Sequence, residues 1–404
     1  MNFNAFKLNP SIAAGIRDAG FITPTPIQAQ AIPKALQGQD VMGLAQTGTG
    51  KTAAFVLPIL QRLMQGKRGH VRALIVAPTR ELVEQINEDI RSLGRKARIR
   101  SVTIYGGVSI KPQMAKLKQG VEIVVACPGR LLDHIDRGTI DLSHLEVLVL
   151  DEADHMFDMG FLPDIRKILT HLPRRRQTLL FSATMPREIR SLAQEVLNDP
   201  VTVQVGATAP AVTVKHALYP VEPHLKTDLL LELLHRTDTE SVLVFTRTKR
   251  RAKQLGEKLT KAGYQAASLQ GNLSQSRRQA ALDGFRDGTY QILVATDIAA
   301  RGIDVTQISH VINYDIPNTT DAYIHRIGRT GRVARSGDAY TLVTREDRAM
   351  MSAIERILDG RIDRRTVADF DYNIRAPRKN KTFSRPPRDR KRAPERKRVE
   401  KAAF

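Results

Sequence analysis

The chain has a single cysteine, Cys127, among 404 residues. One thiol excludes an internal disulfide framework and a cysteine-rich zinc site, and it points to a reducing interior. No stretch approaches the roughly 18 uninterrupted apolar residues that a membrane-spanning helix requires. The N-terminal segment MNFNAFKLNP lacks a basic run followed by an apolar core, so a soluble, unexported, cytoplasmic protein with no membrane partner is expected. Tryptophan is absent and aromatic residues make up 5% of the chain, which disfavours recognition by base stacking.

Negative charge is also scarce. Against 63 Lys or Arg stand 42 Asp or Glu, giving a formal net charge of +21 and an isoelectric point near 10.3. From Arg375 to Phe404 there are 13 basic and 3 acidic residues, net +10, which leaves +11 on the preceding 374. The body is therefore basic without its tail, and a polyanionic partner is implied. Nucleic acid fits better than a membrane surface because no basic amphipathic helix stands out.

What is present is enough apolar residue, 42%, for real cores in a chain too long for one of them. Two domains and an appendage are the natural expectation. The run Ala45-Gln46-Thr47-Gly48-Thr49-Gly50-Lys51-Thr52 follows the apolar segment 40–44 and leads into a helical pattern. Strand, glycine loop and helix in that order form a phosphate cradle. Gly48 and Gly50 let backbone N–H groups turn toward an anion, Lys51 adds a point charge, and the Thr52 hydroxyl can ligate Mg²⁺. Ala45 stands where the strict pattern has glycine.

Downstream, short apolar runs alternate with helical patterns at 73–77, 102–105, 123–126, 147–150, 178–181 and 201–205. That alternation predicts an α/β unit, a buried and mainly parallel sheet flanked by helices, with its chemistry at the carboxyl ends of the strands. Residues 206–214, GATAPAVTV, read as a linker. The alternation then restarts at 242–245, 292–295, 311–314 and 339–343. The expected organisation is an ATP-binding first domain over 1–205, the linker, a second α/β domain over 215–370 without a glycine-lysine loop of its own, and a disordered basic tail over 371–404.

Asp151-Glu152-Ala153-Asp154 follows the wholly apolar 147–150. A phosphate-loop protein needs a carboxylate at such a strand end to hold Mg²⁺, and Asp151 is placed for it. Glu152 is suited to orient or deprotonate the water that attacks the γ-phosphate. Together with PTREL at 78–82, SAT at 182–184 and HRIGRTGR at 325–332, these motifs occur in the order found in DEAD-box RNA helicases of superfamily two. Over residues 1–370 the chain resembles that family. Its short body and basic tail are similar to bacterial members, the RhlE-type subgroup among them.

The resemblance implies two tandem RecA-like domains, ATP and Mg²⁺ as cofactors, RNA as a largely sequence-independent partner, and ribosomal or RNA-decay assemblies as its setting. It places Gln28 on the adenine edge and Phe3 against the base, although composition alone reads Phe3 as core packing. Arg329 and Arg332 would reach the γ-phosphate from the second domain, and His325 would join them to the coupling segment Ser182 to Thr184. Asp304 would reach the ribose. Implied RNA contacts are Thr79, Arg80, Gly106, Gly107, Gly129 and Arg130 in the first domain, with Gln275, Arg278, Thr296 and Arg301 in the second. Two positions depart from the family pattern, Cys127 for threonine and Gln270 for histidine.

The activity so implied is ATP hydrolysis coupled to local RNA unwinding. An ATP-gated RNA clamp or annealing chaperone, a DNA translocase, and an AAA-like or transport ATPase stand as alternatives. The last is disfavoured because no protein-threading or membrane element is evident. The tail reads either as a solvated charge run or as a nonspecific RNA tether.

Overall fold

In the computed structural model, which describes residues 2–46, 48–205, 214–237, 240–300, 308–330 and 337–376, the apolar runs become two parallel sheets. The first holds β1 (Val41–Leu44), β2 (Ala73–Val76), β3 (Ser101–Ile104), β4 (Ile123–Ala126), β5 (Val147–Leu150), β6 (Gln177–Ser182) and β7 (Val201–Gln204). The second holds β8 (Val214–Pro220), β9 (Val242–Phe245), β10 (Ala266–Leu269), β11 (Ile292–Ala295), β12 (His310–Asn313), β13 (Gly337–Val343) and β14 (Asp363–Arg364). Every residue of β2, β4, β5, β6, β9, β11 and β12 is buried. Helices cover both faces of each sheet, so the strands read as unbroken apolar segments without a polar alternation.

The strand orders are β3-β4-β2-β5-β6-β1-β7 and β10-β11-β9-β12-β13-β8-β14. They are the same order, each strand of the second sheet standing seven places after its counterpart. β8 therefore corresponds to β1, and β12 to β5. Because all pairings are parallel, every carboxyl end in a sheet lies on one edge, where loops can gather side chains from distant parts of the sequence.

The two expected α/β units are present, and three strands were not anticipated. β8 starts at Val214, the last residue of the segment read as a linker. β10, AASL, has only Leu269 fully buried, and β14 is two exposed residues; neither carries an apolar pattern. Packing also continues past Phe370. Its ring meets that of Tyr372 at 4.8 Å, the Val367 N–H donates to the Tyr372 hydroxyl at 2.9 Å, and His224 Nε2 donates to the Ile374 carbonyl at 2.7 Å. Residues 206–213 of the expected linker and 377–404 of the expected tail lie outside the described residues. Among the described residues no helix is long and apolar enough to cross a membrane.

Candidate active site and nucleic-acid cleft

The glycine loop leaves β1 and enters the helix Lys51–Leu63. Gly48 and Gly50 have φ of +79° and +88°, the left-handed region that favours glycine. A side chain at Gly50 is excluded twice, since a Cβ there would lie 2.4 Å from Gln28 Nε2. Gln28 clamps the loop: its Nε2 donates to the Gly50 carbonyl at 3.0 Å and its Oε1 accepts from the Thr25 N–H at 2.9 Å. One amide hydrogen and one lone pair are left for a ligand. Lys51 is buried and donates from Nζ to the Ala45 carbonyl at 2.8 Å, and Thr49 Oγ1 donates to the Gln46 carbonyl at 2.7 Å. Thr52 is the second residue of the helix; Thr47 lies outside the described residues. Phe3 is buried, edge-on to Phe6 at 5.8 Å and stacked on Phe21 at 6.1 Å. Phe21 is the exposed ring of the group.

At the end of β5, Asp151 and Glu152 are both buried. Burial pushes the Asp151 carboxyl up to about 7, against the attraction of Lys51. A buried acid in that state is a site waiting for a cation. Burial would also raise Glu152, yet His155, Lys51 and Arg329 outweigh it and hold the carboxyl at about 2. Glu152 has φ +52° and ψ 52°, a conformation that costs a non-glycine residue about 1–2 kcal/mol. The strained turn directs its Oε2 to His155 Nδ1 at 2.9 Å.

From there a relay crosses to the second lobe. His155 Nε2 lies 3.1 Å from His325 Nδ1, the rings edge to face at 4.7 Å. Burial, His155 and Arg329 push His325 down to about 4, so it is neutral near pH 7. His155 donates from Nδ1 to the Glu152 carboxylate, and one of the two facing ring nitrogens donates to the other. Asp154 ties this motif to the coupling segment. Its Oδ2 accepts from the Thr184 N–H at 2.8 Å and hydroxyl at 2.9 Å, while Ser182 Oγ accepts from the Asp154 N–H at 3.3 Å and donates to the Thr184 carbonyl at 2.6 Å.

The second lobe contributes Arg329, which is buried and near enough to Glu152 to lower its carboxyl. Its neighbour Arg326 does something different. Arg326 pairs with Asp297 through Nε and Nη2, donates from Nη1 to Asn313 Oδ1 at 3.0 Å and the Asp315 carbonyl at 2.7 Å, and lies 4.9 Å over the Phe245 ring. It pins the loop while Arg329 stays directed at the cleft. The counterpart of Lys51 is Lys226, first residue of the helix after β8. Its Nζ donates to the Tyr314 carbonyl at 2.9 Å and lies 3.7 Å from Asp315. The lysine and acid that would cradle phosphate in this lobe are thus bonded to their own surroundings.

A cavity of about 440 Å³ between the lobes is lined by Thr79, Arg80, Gly106, Gly129, Arg130 and Arg278, among others. These are six of the residues expected to touch RNA. Arg80 closes on Gly107, where a Cβ would lie 2.2 Å from its guanidinium. Gln275 accepts from Arg80 at 3.4 Å, and Glu81 pairs with Arg278 at 2.7 Å and accepts from Gln275 at 3.3 Å. Thr296 follows β11 on the same edge and does not line the cavity. Cys127 does line it, its thiol pushed up to about 12 by burial and so an uncharged neighbour. As the first cap of the helix Pro128–Asp136 it makes no side-chain capping bond. Gln270 is buried and accepts from the Asn272 N–H at 2.7 Å. Arg301, Asp304 and Arg332 lie outside the described residues. Asp154, His155, Glu81 and Arg326 were not singled out from sequence, although each sits inside or beside a motif that was.

The donor set suits a nucleoside triphosphate with Mg²⁺: a left-handed glycine turn, a buried lysine bonded to a carbonyl it can release, and a cation-seeking acid beside it. One consequence can be measured without nucleotide. Asp151 is raised from 3.8 to about 7 on folding, so the folded state holds a proton that the unfolded state gives up. Its contribution to stability is full below about pH 4 and is lost as pH rises through about 7. Asp151→Asn should therefore raise the melting temperature of the nucleotide-free, Mg²⁺-free protein at about pH 8 and leave it near wild type at about pH 4. An equal shift at both values would contradict the assignment.

Comparison with known proteins gives the following. A family model described as DEAD/DEAH box helicase matches residues 25–192, and one described as helicase conserved C-terminal domain matches residues 225–334. The chain is 46% identical over 370 residues to the DEAD-box ATP-dependent RNA helicase CshA of Geobacillus kaustophilus, covering 91% of this chain and 79% of that one. To CshA of Bacillus subtilis it is 43% identical over 372 residues, covering 92% and 75%. Among solved structures it is similar to S. cerevisiae Dbp5 bound to RNA and ADP BeF3, with a TM-score of 0.81, 31% identity, and coverage of 90% and 95%. A DEAD box protein from the hyperthermophile Methanococcus jannaschii is also similar, with a TM-score of 0.54, 38% identity, and coverage of 91% and 99%.

Proposed function

The chain belongs to the DEAD-box family of ATP-dependent RNA helicases, and from that premise we propose that its two RecA-like lobes close on nucleotide and RNA together to complete one active site. The protein is an RNA-dependent ATPase and RNA is its partner. The observation that carries the mechanism is the join between lobes at the catalytic acid: Glu152 reaches His155, which reaches His325 in the next lobe at 3.1 Å, beside Arg329.

Bound ATP, with Mg²⁺ offsetting its charge, supplies the γ-phosphoryl group that passes to water. The residues around it position and neutralise. Loop N–H groups from Ala45 to Thr52 hold the phosphates, and Lys51 exchanges the Ala45 carbonyl for a phosphate oxygen. Thr52 and Asp151 would hold the metal. Gln28 offers its remaining N–H and lone pair to adenine, and Asp304 is assigned to the ribose. Glu152 orients the attacking water. Arg329, with Arg332, stabilises charge on the transferring group. His325, Asp154, Ser182 and Thr184 form the route by which the state of this site reaches the RNA cleft.

We assign RNA contact to Thr79, Arg80, Gly106, Gly107, Gly129 and Arg130 from the first lobe and to Gln275, Arg278, Thr296 and Arg301 from the second. Backbone N–H groups, hydroxyls and guanidinium groups suit a phosphodiester chain and read little sequence. Closing both lobes on one strand bends it, which unpairs a local duplex. A cytoplasmic setting and ribosomal or RNA-decay assemblies fit a basic protein with one thiol. The relatives above carry the name CshA, while the short body and basic tail are what support an RhlE-type subgroup. Strand displacement is the deciding experiment: ATP should drive release of a labelled strand from a short RNA duplex. ATP-dependent retention of RNA without release would instead identify a clamp or annealing chaperone.

A further inference from the structure

From Ile90 to Val121 the chain carries eight Lys or Arg and no Asp or Glu. The fold wraps this stretch around β3, the outermost strand of the first sheet, between the helices Arg80–Leu93 and Lys111–Lys118. Along the free edge of β3 runs a groove of about 670 Å³ with Arg91, Arg100 and Lys116 among its lining residues. Arg100 is held by the Gln119 carbonyl at 3.1 Å and by Glu122 at 3.5 Å. Arg91 and Lys116 are exposed and have no ion-pair partner among the described residues. The one acid lining the groove, Glu84, accepts from the Tyr105 hydroxyl at 2.6 Å. Asn87, Ser101, Thr103 and Gln113 supply uncharged polar groups between the cations.

The groove begins where the cleft ends. Val108 and Ser109 line it, and the same loop carries Gly106 and Gly107. Arg130 donates to the Val108 carbonyl at 3.1 and 3.2 Å from its two terminal nitrogens, which fixes the loop between the two surfaces. A strand leaving the cleft over the glycines meets unpaired cations on both rims. We infer that the groove along β3 is a second RNA surface, binding the phosphodiester backbone beyond the segment held between the lobes. This rests on the RNA reading of the cleft and extends it. An acidic peptide pairing with β3 is the competing occupant. Two features favour RNA: β3 is four residues long, and Gln113 Nε2 already donates to the Tyr105 carbonyl at 3.1 Å just beyond its end, which shortens the ladder a peptide could form.

The experiment uses the full chain with Arg91→Glu and Lys116→Glu together, and with Arg91→Gln and Lys116→Gln as a milder pair that removes charge without reversing it. Labelled single-stranded RNAs of about 6 and about 18 nucleotides distinguish cleft from groove. The long RNA should bind the Glu pair at least about tenfold more weakly than wild type, with an intermediate loss for the Gln pair. The plot of log affinity against log salt should flatten by about 1.4, near 0.7 per lost phosphate contact. Affinity for the short RNA and its stimulation of ATP hydrolysis should not change. Equal losses on both lengths would place the effect in the cleft and overturn the inference. So would unchanged binding of the long RNA, which would leave the groove to a peptide. Failure of the short RNA to stimulate wild-type ATP hydrolysis would count against the cleft itself, and is read separately.

Discussion

Glu152→Gln should lower RNA-stimulated ATP turnover by about 10²–10⁴-fold while ATP and RNA affinities stay within about threefold. The side chain is held in a left-handed turn and bonded to His155 at 2.9 Å, so the amide fits the same space. What it loses is charge. A carboxyl held near 2 by His155, Lys51 and Arg329, against its own burial, is a poor proton acceptor in the ground state. The role proposed for it is to align the attacking water and to receive the proton late, when transfer has already made that water acidic. Phosphoryl transfer through a loose transition state needs little more. Turnover should accordingly show no titration of this group between about pH 6 and 8. Single-turnover hydrolysis with saturating RNA separates the outcomes: a variant that hydrolyses ATP at the wild-type rate would remove Glu152 from the reaction.

Arg329→Ala should have an effect at least as large, about 10³–10⁵-fold on turnover, the range for an arginine supplied across an interface to a transferring phosphoryl group. ATP should still bind, because the glycine loop, Lys51 and Gln28 all belong to the first lobe. Arg329→Lys should recover little, since an ammonium cannot span two oxygens as a guanidinium does. The control lies three residues away. Arg326 also has a buried guanidinium, but it is bonded to Asp297, Asn313 and the Asp315 carbonyl. Loss of Arg326 acts through the fold of the second lobe, whereas the effect expected at Arg329 is on turnover. Thermal unfolding tells the two apart, and an Arg329→Ala protein that is well folded yet hydrolyses ATP normally would assign the finger role elsewhere.

Features built from neighbouring residues were legible in the sequence. The glycine loop, the acid pair after β5 and the central strands each depend on a few consecutive residues whose backbone preference and burial agree. Features built from distant residues were not. His155 and His325 are 170 positions apart, Glu81 and Arg278 are 197 apart, and even Asp154 to Thr184 spans 30. No periodicity marks which strand ends share an edge, so their pairing appears only once the strand order is known. β10 and β14 escaped for another reason. They are edge strands whose residues are small or exposed, and pairing to a neighbour rather than burial holds them in place. Phe3 belongs with the distant features, since its ring meets Phe21 eighteen positions on.

The two sheets share one strand order, and Lys226 opens the helix after β8 as Lys51 opens the helix after β1, while Asp315 stands two residues beyond β12 where Asp151 stands one beyond β5. One architecture thus serves twice, as the two halves of a single machine. On the proposed reading, the half with the open phosphate grip holds the fuel and the half whose lysine is bonded to its own surroundings supplies the trigger. Such a pair cannot idle expensively: fuel bound to one half stays unburnt until a strand of RNA draws the other alongside, so consumption is rationed by cargo.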